Sequence, residues 1–486
     1  MAPTGLATSL DPFSYAGGTA QSGPEQLALF GSLLRFDTPT NTFKGELAES
    51  ITPNADASQW TLKLRSGVKF GNGDAMDATA VKASIERDID PKSTSSMKRE
   101  GAYIQSIQIV DPLTLKFTLT QPYGFWPLTL SAGGGQVGAL GMIQDVKVVN
   151  QMGADKFGQN PSLGAAGPYE LDSWNPPNQV VLKARSNWWG GPVCIKKLTF
   201  VQLDSIQARL DGLKNGDVHV STLSRDPVDT AAALATYPHV TTIDQGNAIV
   251  EFNQANKQFA DLRTRQAVAY AIDPKVVSAR AFGGKALASS GLVYADKSLG
   301  IAKGTEGLPY DPEKAKSLVQ QLKAEGNNLT FTLLCANSPS NNVQAAVAIK
   351  SLLEAVGFKV TVKPLGETEL ITDVYANRNF DFWLGGQVGP LASEYSSLYR
   401  FASKNPANAF GVKDPAFDAA LDTLSKAQTT DQLLSAMNAV QQEWNKVLPG
   451  VVYASDEPAL IWNAKVHGMY FTRGITPYFD KAYVTS

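Results

Sequence analysis

The sequence predicts a mixed α/β protein divided into two or three lobes. Three observations carry this reading. The chain has 486 residues, too many for one ordinary hydrophobic core. Residues 60–87 read as a strand, a glycine loop and a helix in succession. Residues 329–362 read as strand, helix and strand, the βαβ unit of a parallel pair.

In the first segment, Trp60, Leu62 and Leu64 alternate with Thr61, Lys63 and Arg65, the pattern of a half-buried strand. Gly67, Gly71 and Gly73 interrupt it. Asp77 stands at a helix N-cap position, and Val81, Ile85 and Ile89 recur every four residues behind it. Before this unit, Ser9-Leu10-Asp11-Pro12 reads as an opening strand and turn, followed by Tyr15. After it, Leu113, Leu115, Phe117 and Leu119 alternate in a hairpin turned by Asp111-Pro112.

Aromatic residues among Pro and Gly (Gln121 to Pro127) then suit a loop or a short helix edge, one that covers a core or one that meets a ligand, and Gly133, Gly134, Gly135 and Gln136 follow. Ile206, Leu210 and Leu213 stripe a helix that stops at Gly216. Asp311-Pro312 places an N-cap and an N1 proline before Ala315, Leu318, Val319 and Leu322. In the βαβ unit, Leu329, Phe331 and Leu333 form the first strand. Ala346, Ile349, Leu353 and Val356 stripe the helix, and Gly357 ends it before Phe358, Val360 and Val362. Two more amphipathic helices carry Phe417 to Leu424 and Leu433 to Val447. The tail from Val451 reads as strands returning to the first lobe.

Composition excludes several classes. The 43 basic and 45 acidic side chains nearly balance, so there is no basic field for nucleic acid. Cys194 and Cys335 cannot build a disulfide framework and are expected as free, buried thiols. The three histidines are scattered without metal-ligand spacing, so no metal or cofactor is expected. No Walker loop, nucleophile elbow, dinucleotide fingerprint or H-E-x-x-H occurs, and the chain does not read as an enzyme. No apolar run reaches the length of a membrane span. The chain opens MAPTGLATSLDPFSY, and Met1 is expected to stand in place of a removed export signal.

Several motifs together carry a family resemblance. Leu47-Ala48-Glu49-Ser50, Trp60 to Phe70, Gly73 and Thr79-Ala80 follow one another in a fixed order. Further along stand Ala165-Ala166-Gly167-Pro168-Tyr169, then Phe252-Asn253 with Phe259, Asp261, Arg263, Arg265, Gln266 and Ala271-Ile272-Asp273, and finally Tyr310 to Leu318. This order resembles the family 5 extracellular solute-binding proteins, the oligopeptide, dipeptide and nickel receptors of ABC importers. The resemblance implies an α/β, two-lobed, periplasmic-binding-protein-like fold with an extra inserted domain, hence three domains and a cleft between lobes. The corresponding division is domain I at 1–36, 156–249 and 465–486, the domain II insert at 37–155, and domain III, the second lobe, at 250–464. It also implies a monomer that closes on its ligand and docks on ABC permease subunits, in an extracytoplasmic, periplasmic or lipid-anchored location. Arg263 and Arg265 are expected to fix their helix by salt bridges.

Candidate ligand contacts are Tyr15, Trp126 and Trp383 as apolar walls, and Gly135 and Gly386 as backbone donors and acceptors. Gln136, Asn247, Gln387 and Glu394 would add polar side chains. The resemblance also sets out what a peptide receptor needs here. An Asp that holds the peptide ammonium is expected about ten residues after Phe380-Asp381, where Pro390 stands, and an Arg in some receptors falls on Leu384. A buried ammonium without its carboxylate is heavily penalised. Glu394 could substitute. The sequence therefore points to a solute other than an ordinary peptide with a free N-terminus. The competing expectation is a same-fold receptor for a glycoside or aromatic compound that acts in sensing.

Overall fold

A computed structural model describes residues 1–3, 6–7, 9–14, 23–37, 42–95, 97–131, 139–203, 205–223, 233–241, 247–284, 289–292, 306–337, 340–386, 394–455, 459–472 and 475–485. The chain divides into two compact units, one of Met1–Ser224, Asp229–Thr242 and Pro458–Ser486, the other of Arg225–Val228 and Ile243–Glu457.

The first unit contains a four-stranded antiparallel sheet in the order Ala48–Pro53, Gln59–Leu64, Thr114–Leu119, Ile104–Asp111. The alternation at 60–64 is real: Trp60, Leu62 and Leu64 are buried, while Thr61 and Lys63 are exposed. The helix Ala78–Ile89 begins where expected, with the Asp77 carboxylate accepting from Ala80 N at 2.9 Å. Val81 and Ile85 are buried on its inner face. A three-stranded antiparallel sheet follows, Tyr169–Asn175, Gln179–Ala184 and Lys197–Val201. In the crossover before it, Gly167 N donates to Leu29 O at 2.8 Å. A Cβ on Gly167 would lie 2.5 Å from that carbonyl oxygen, so only glycine permits the approach.

Among the described residues the opening strand expected at Ser9–Pro12 is absent. The turn expected with it is present as the 3-10 segment Pro12–Ser14, and Asp11 just before it pairs with Arg87. Cys194 is exposed rather than buried, and both cysteines are free.

The second unit is built on a five-stranded sheet in the order Lys359–Leu365, Thr330–Ala336, Phe382–Gly386, Asn247–Phe252, Gly450–Ser455. The first three strands are parallel and the last two pair antiparallel. The βαβ unit is present, with Phe331 level with Val360 and Gly357 at φ +107° after the helix Ser340–Ala355. One sheet face, carrying Val250, Phe252, Phe331, Phe382 and Leu384, packs into a core with Val268, Val277, Val319 and Ile349 from helices. Residues of the alternate parity, Ile249, Glu251 and Trp383, point to the opposite face.

Strand Asn247–Phe252 spans the domain boundary expected at 249/250. Its pairing with Phe382–Gly386 and Gly450–Ser455 holds the whole strand in the second unit. The chain leaves that unit again before Ala459–Trp462, ahead of the boundary expected at 464/465, since this strand pairs with Val220–Leu223 and His239–Thr241 of the first unit.

Arg263 pairs with Asp261 at 2.7 Å and Glu325 at 2.6 Å, tying two helices together. Arg265 instead donates to backbone carbonyls, those of Phe259, Ala260 and Val447. Asp381 accepts from Thr332 N at 2.8 Å and from Asn256 at 2.7 Å, so it braces the start of strand Phe382–Gly386 against its neighbour.

Candidate ligand-binding site

Two neighbouring strands of the second unit bring candidate residues together. Ala248 pairs with Gly386 and Glu251 with Trp383. Asn247 and Gly386 therefore reach the same end of the sheet. Gly386 has φ +150°, a backbone angle other residues seldom adopt. Glu394 opens the short helix Glu394–Leu398, which runs into a 3-10 turn at Tyr399–Phe401.

Trp383 is not an open wall. It is 6% exposed, and its indole Nε1 donates to Glu251 Oε2 at 2.9 Å. Tyr375 packs edge-on against it, ring centroids 6.1 Å apart. Trp126 is likewise a core side chain. It is 0% exposed and lies 4.9 Å from Phe117 and 6.5 Å from Trp60, between centroids, in the first unit. Trp383 is expected as a wall of the site, and Trp126 either as a wall or as cover for a core. Each is surrounded by protein, because burying so large an apolar ring is favourable wherever aromatic neighbours are in reach. Tyr15, Gly135, Gln136 and Gln387 lie outside the described residues.

Sequence reasoning missed the group on which Trp383 rests. Glu251 is 0% exposed. Its Oε2 accepts the hydrogen bond from the Trp383 indole N–H and its Oε1 pairs with Arg400 Nη2. Burial pushes its carboxyl up to about 7, while Arg400 and the Trp383 hydrogen bond act the other way. Burial also opposes the Arg400 charge, but Glu251 and Tyr375 more than offset this, and its pKa is raised. The Arg400 guanidinium lies 4.9 Å from the Phe401 ring centroid and 6.0 Å from that of Phe410. A signal was present in the sequence: Ile249-Val250-Glu251-Phe252 sets one charge inside an apolar strand, and such a charge needs a partner.

Leu384, where some peptide receptors carry an Arg, faces the helical core on the other side of the sheet. Among the described residues no three His, Cys, Asp or Glu side chains gather to hold a metal ion. Nor is any described helix long and apolar enough to cross a membrane.

The family model for bacterial extracellular solute-binding proteins, family 5 Middle, matches residues 42–409. The chain belongs to this family. Its members are the solute-binding components of ABC importers. Glutathione-binding protein GsiB of Escherichia coli (strain K12) is 25% identical over 457 residues, covering 90% of this chain and 85% of that protein. The fold is also that of AgaA from A. tumefaciens R10, solved with agropinic acid, at TM-score 0.78 and 21% identity over 100% of this chain and 98% of that one. AppA from Bacillus subtilis, solved with a nonapeptide, matches at TM-score 0.75 and 16% identity, over 100% and 98%. These relatives are binding proteins rather than enzymes.

Proposed function

We propose that this protein captures a small organic or peptide-like solute outside the cytoplasm and hands it, chemically unchanged, to an ABC permease. The family match over residues 42–409 carries this reading. In this reading residues 37–155 form an inserted domain, and the solute is held at the end of the second unit's sheet where Asn247 and Gly386 stand. Asn247, Gly386, Gln387 and Glu394 are the solute contacts proposed in the second unit, and Tyr15, Gly135 and Gln136 those proposed from the sequence of the first. Exclusion of water around the bound solute strengthens each polar contact to it. The protein acts as a monomer, held in the periplasm or by a lipid anchor.

The solute is not an ordinary peptide with a free N-terminus. Pro390 stands at the position expected for the ammonium-binding Asp, and Leu384 is committed to a hydrophobic core. The relatives' named ligands are glutathione, agropinic acid and a nonapeptide, so the family fold admits dissimilar chemistry. A blocked or modified peptide, a glycoside or an aromatic small molecule fits this reading.

Mass spectrometry of solute released from the denatured protein, paired with a thermal-shift panel, tests it. The expected result is one released solute of that class, recovered unaltered, which raises the melting temperature when added back. Stabilisation by several unmodified di- to pentapeptides and by no blocked peptide or sugar overturns the ligand assignment. Recovery of an altered solute overturns the binding role itself.

A further inference from the structure

Glu251 ties together two parts of the chain that flank the proposed solute site. Before the site, Trp383 sits on the strand that ends at Gly386, and its indole is bonded to Glu251 Oε2. After it, Arg400 sits in the turn that follows the helix opened at Glu394, and its guanidinium is paired with Glu251 Oε1. The two carboxylate oxygens thus hold one flank each. Gly385 adds a third constraint. A Cβ there would lie 2.8 Å from Glu251 Cδ and 2.6 Å from the Trp383 ring, so the strand presses directly on the carboxylate. Tyr375, Phe401 and Phe410 close around the pair.

Stability alone is a poor reason for such a pair. A buried ion pair gains little over well-packed apolar side chains of similar volume, whereas it does fix geometry. We propose that Glu251 is a positioning residue: it fixes the strand end at Gly386 and the helix opened at Glu394 to a single point on the central strand, and so sets the spacing of the solute-binding groups they carry. This rests on the reading of that sheet end as part of the solute site.

The test uses the full chain with E251Q, R400Q and the apolar double variant E251M/R400M. Hydrogen–deuterium exchange is followed in peptides covering 382–386 and 395–401, with 312–324 and 340–355 as references in the same unit. In E251Q and R400Q, exchange is expected to rise at least tenfold at both flanks and to stay unchanged in the reference helices. A rise at one flank only, no rise, or a uniform rise across the unit overturns the proposal. Isothermal titration with glutathione and with trialanine as probes adds a second readout. For any probe that wild type binds, E251M/R400M is expected to keep the wild-type melting temperature yet weaken affinity at least tenfold. Unchanged affinity in that variant overturns the positioning role. If wild type binds neither probe and releases no solute on denaturation, the proposed function fails, and the exchange result still decides the clamp.

Discussion

Arg87 closes on Asp11 through two parallel contacts, Nη1 to Oδ1 at 3.0 Å and Nη2 to Oδ2 at 2.6 Å. Arg87 lies on the helix Ala78–Ile89, and Asp11 immediately before the 3-10 turn Pro12–Ser14. The same guanidinium bonds Gln144 and lies 4.5 Å from the Phe13 ring centroid. One arginine therefore joins three segments of the first unit. The fork geometry suits Arg and not Lys.

Removing Asp11 leaves this guanidinium buried against Gln144 and Phe13 without its carboxylate. D11A is expected to destabilise the first unit by about 3 kcal/mol, the lower end for breaking a buried pair because Arg87 keeps some solvent contact. R87K should lose about half as much, since one contact survives. Urea unfolding checks both, and the double variant should cost less than the sum.

Asp88, next along the helix, gives a pH signature. Burial pushes its carboxyl up to about 7; the Ser95 hydroxyl, Arg87 and Gln144 act to lower it, and Asp11 to raise it. A carboxyl with a raised folded pKa binds its proton more tightly when folded. Its stabilising share is complete below the unfolded value of 3.8 and is lost as pH rises through about 7. D88N fixes the neutral shape and should match wild type near pH 4. At pH 8 it should exceed wild type by about 4 kcal/mol. Urea midpoints across that range decide it, and a flat difference between the two proteins contradicts the assignment.

What was legible in the sequence was local. The Asp77 cap, the 60–64 alternation and the βαβ unit each depend on residues a few positions apart, and period and capping chemistry report them directly. The Glu251–Arg400 pair joins residues 149 apart, and no periodicity marks it. Strand Asn247–Phe252 was cut by the expected boundary because its membership is decided by pairing with residues 382–386 and 450–455, far away in the chain. Trp126 reads from the sequence as part of a loop or a short helix edge among Pro and Gly, with its neighbours undetermined. Its neighbours Trp60 and Phe117 come from two strands that only the folded sheet places beside it.

Gly385 tests the packing around the carboxylate without removing a charge. A methyl group there meets the Trp383 ring at 2.6 Å and Glu251 Cδ at 2.8 Å, and neither is the free end of a flexible chain. G385A should therefore cost about 2 kcal/mol, the usual scale of core overpacking. A combined W383F/G385A variant should recover part of this, because the smaller ring vacates space. Chemical denaturation of the three proteins reads the coupling directly.

Trp126 separates a core side chain from a solute contact. Its ring is enclosed by Phe117 and Trp60, and the 3-10 segment Trp126–Leu130 that carries it is buried throughout. W126F keeps an aromatic ring but leaves unfilled volume, so it should destabilise the protein by about 1–2 kcal/mol. If the ring only packs, affinity for the solute released from wild type should stay within about twofold once folding is complete. The measurement is a titration of purified W126F at a temperature well below its midpoint, beside its denaturation curve. A large affinity loss with an unchanged midpoint would move Trp126 back to the binding surface. A lowered midpoint with preserved affinity places it where the structure does, in the apolar interior of the first unit.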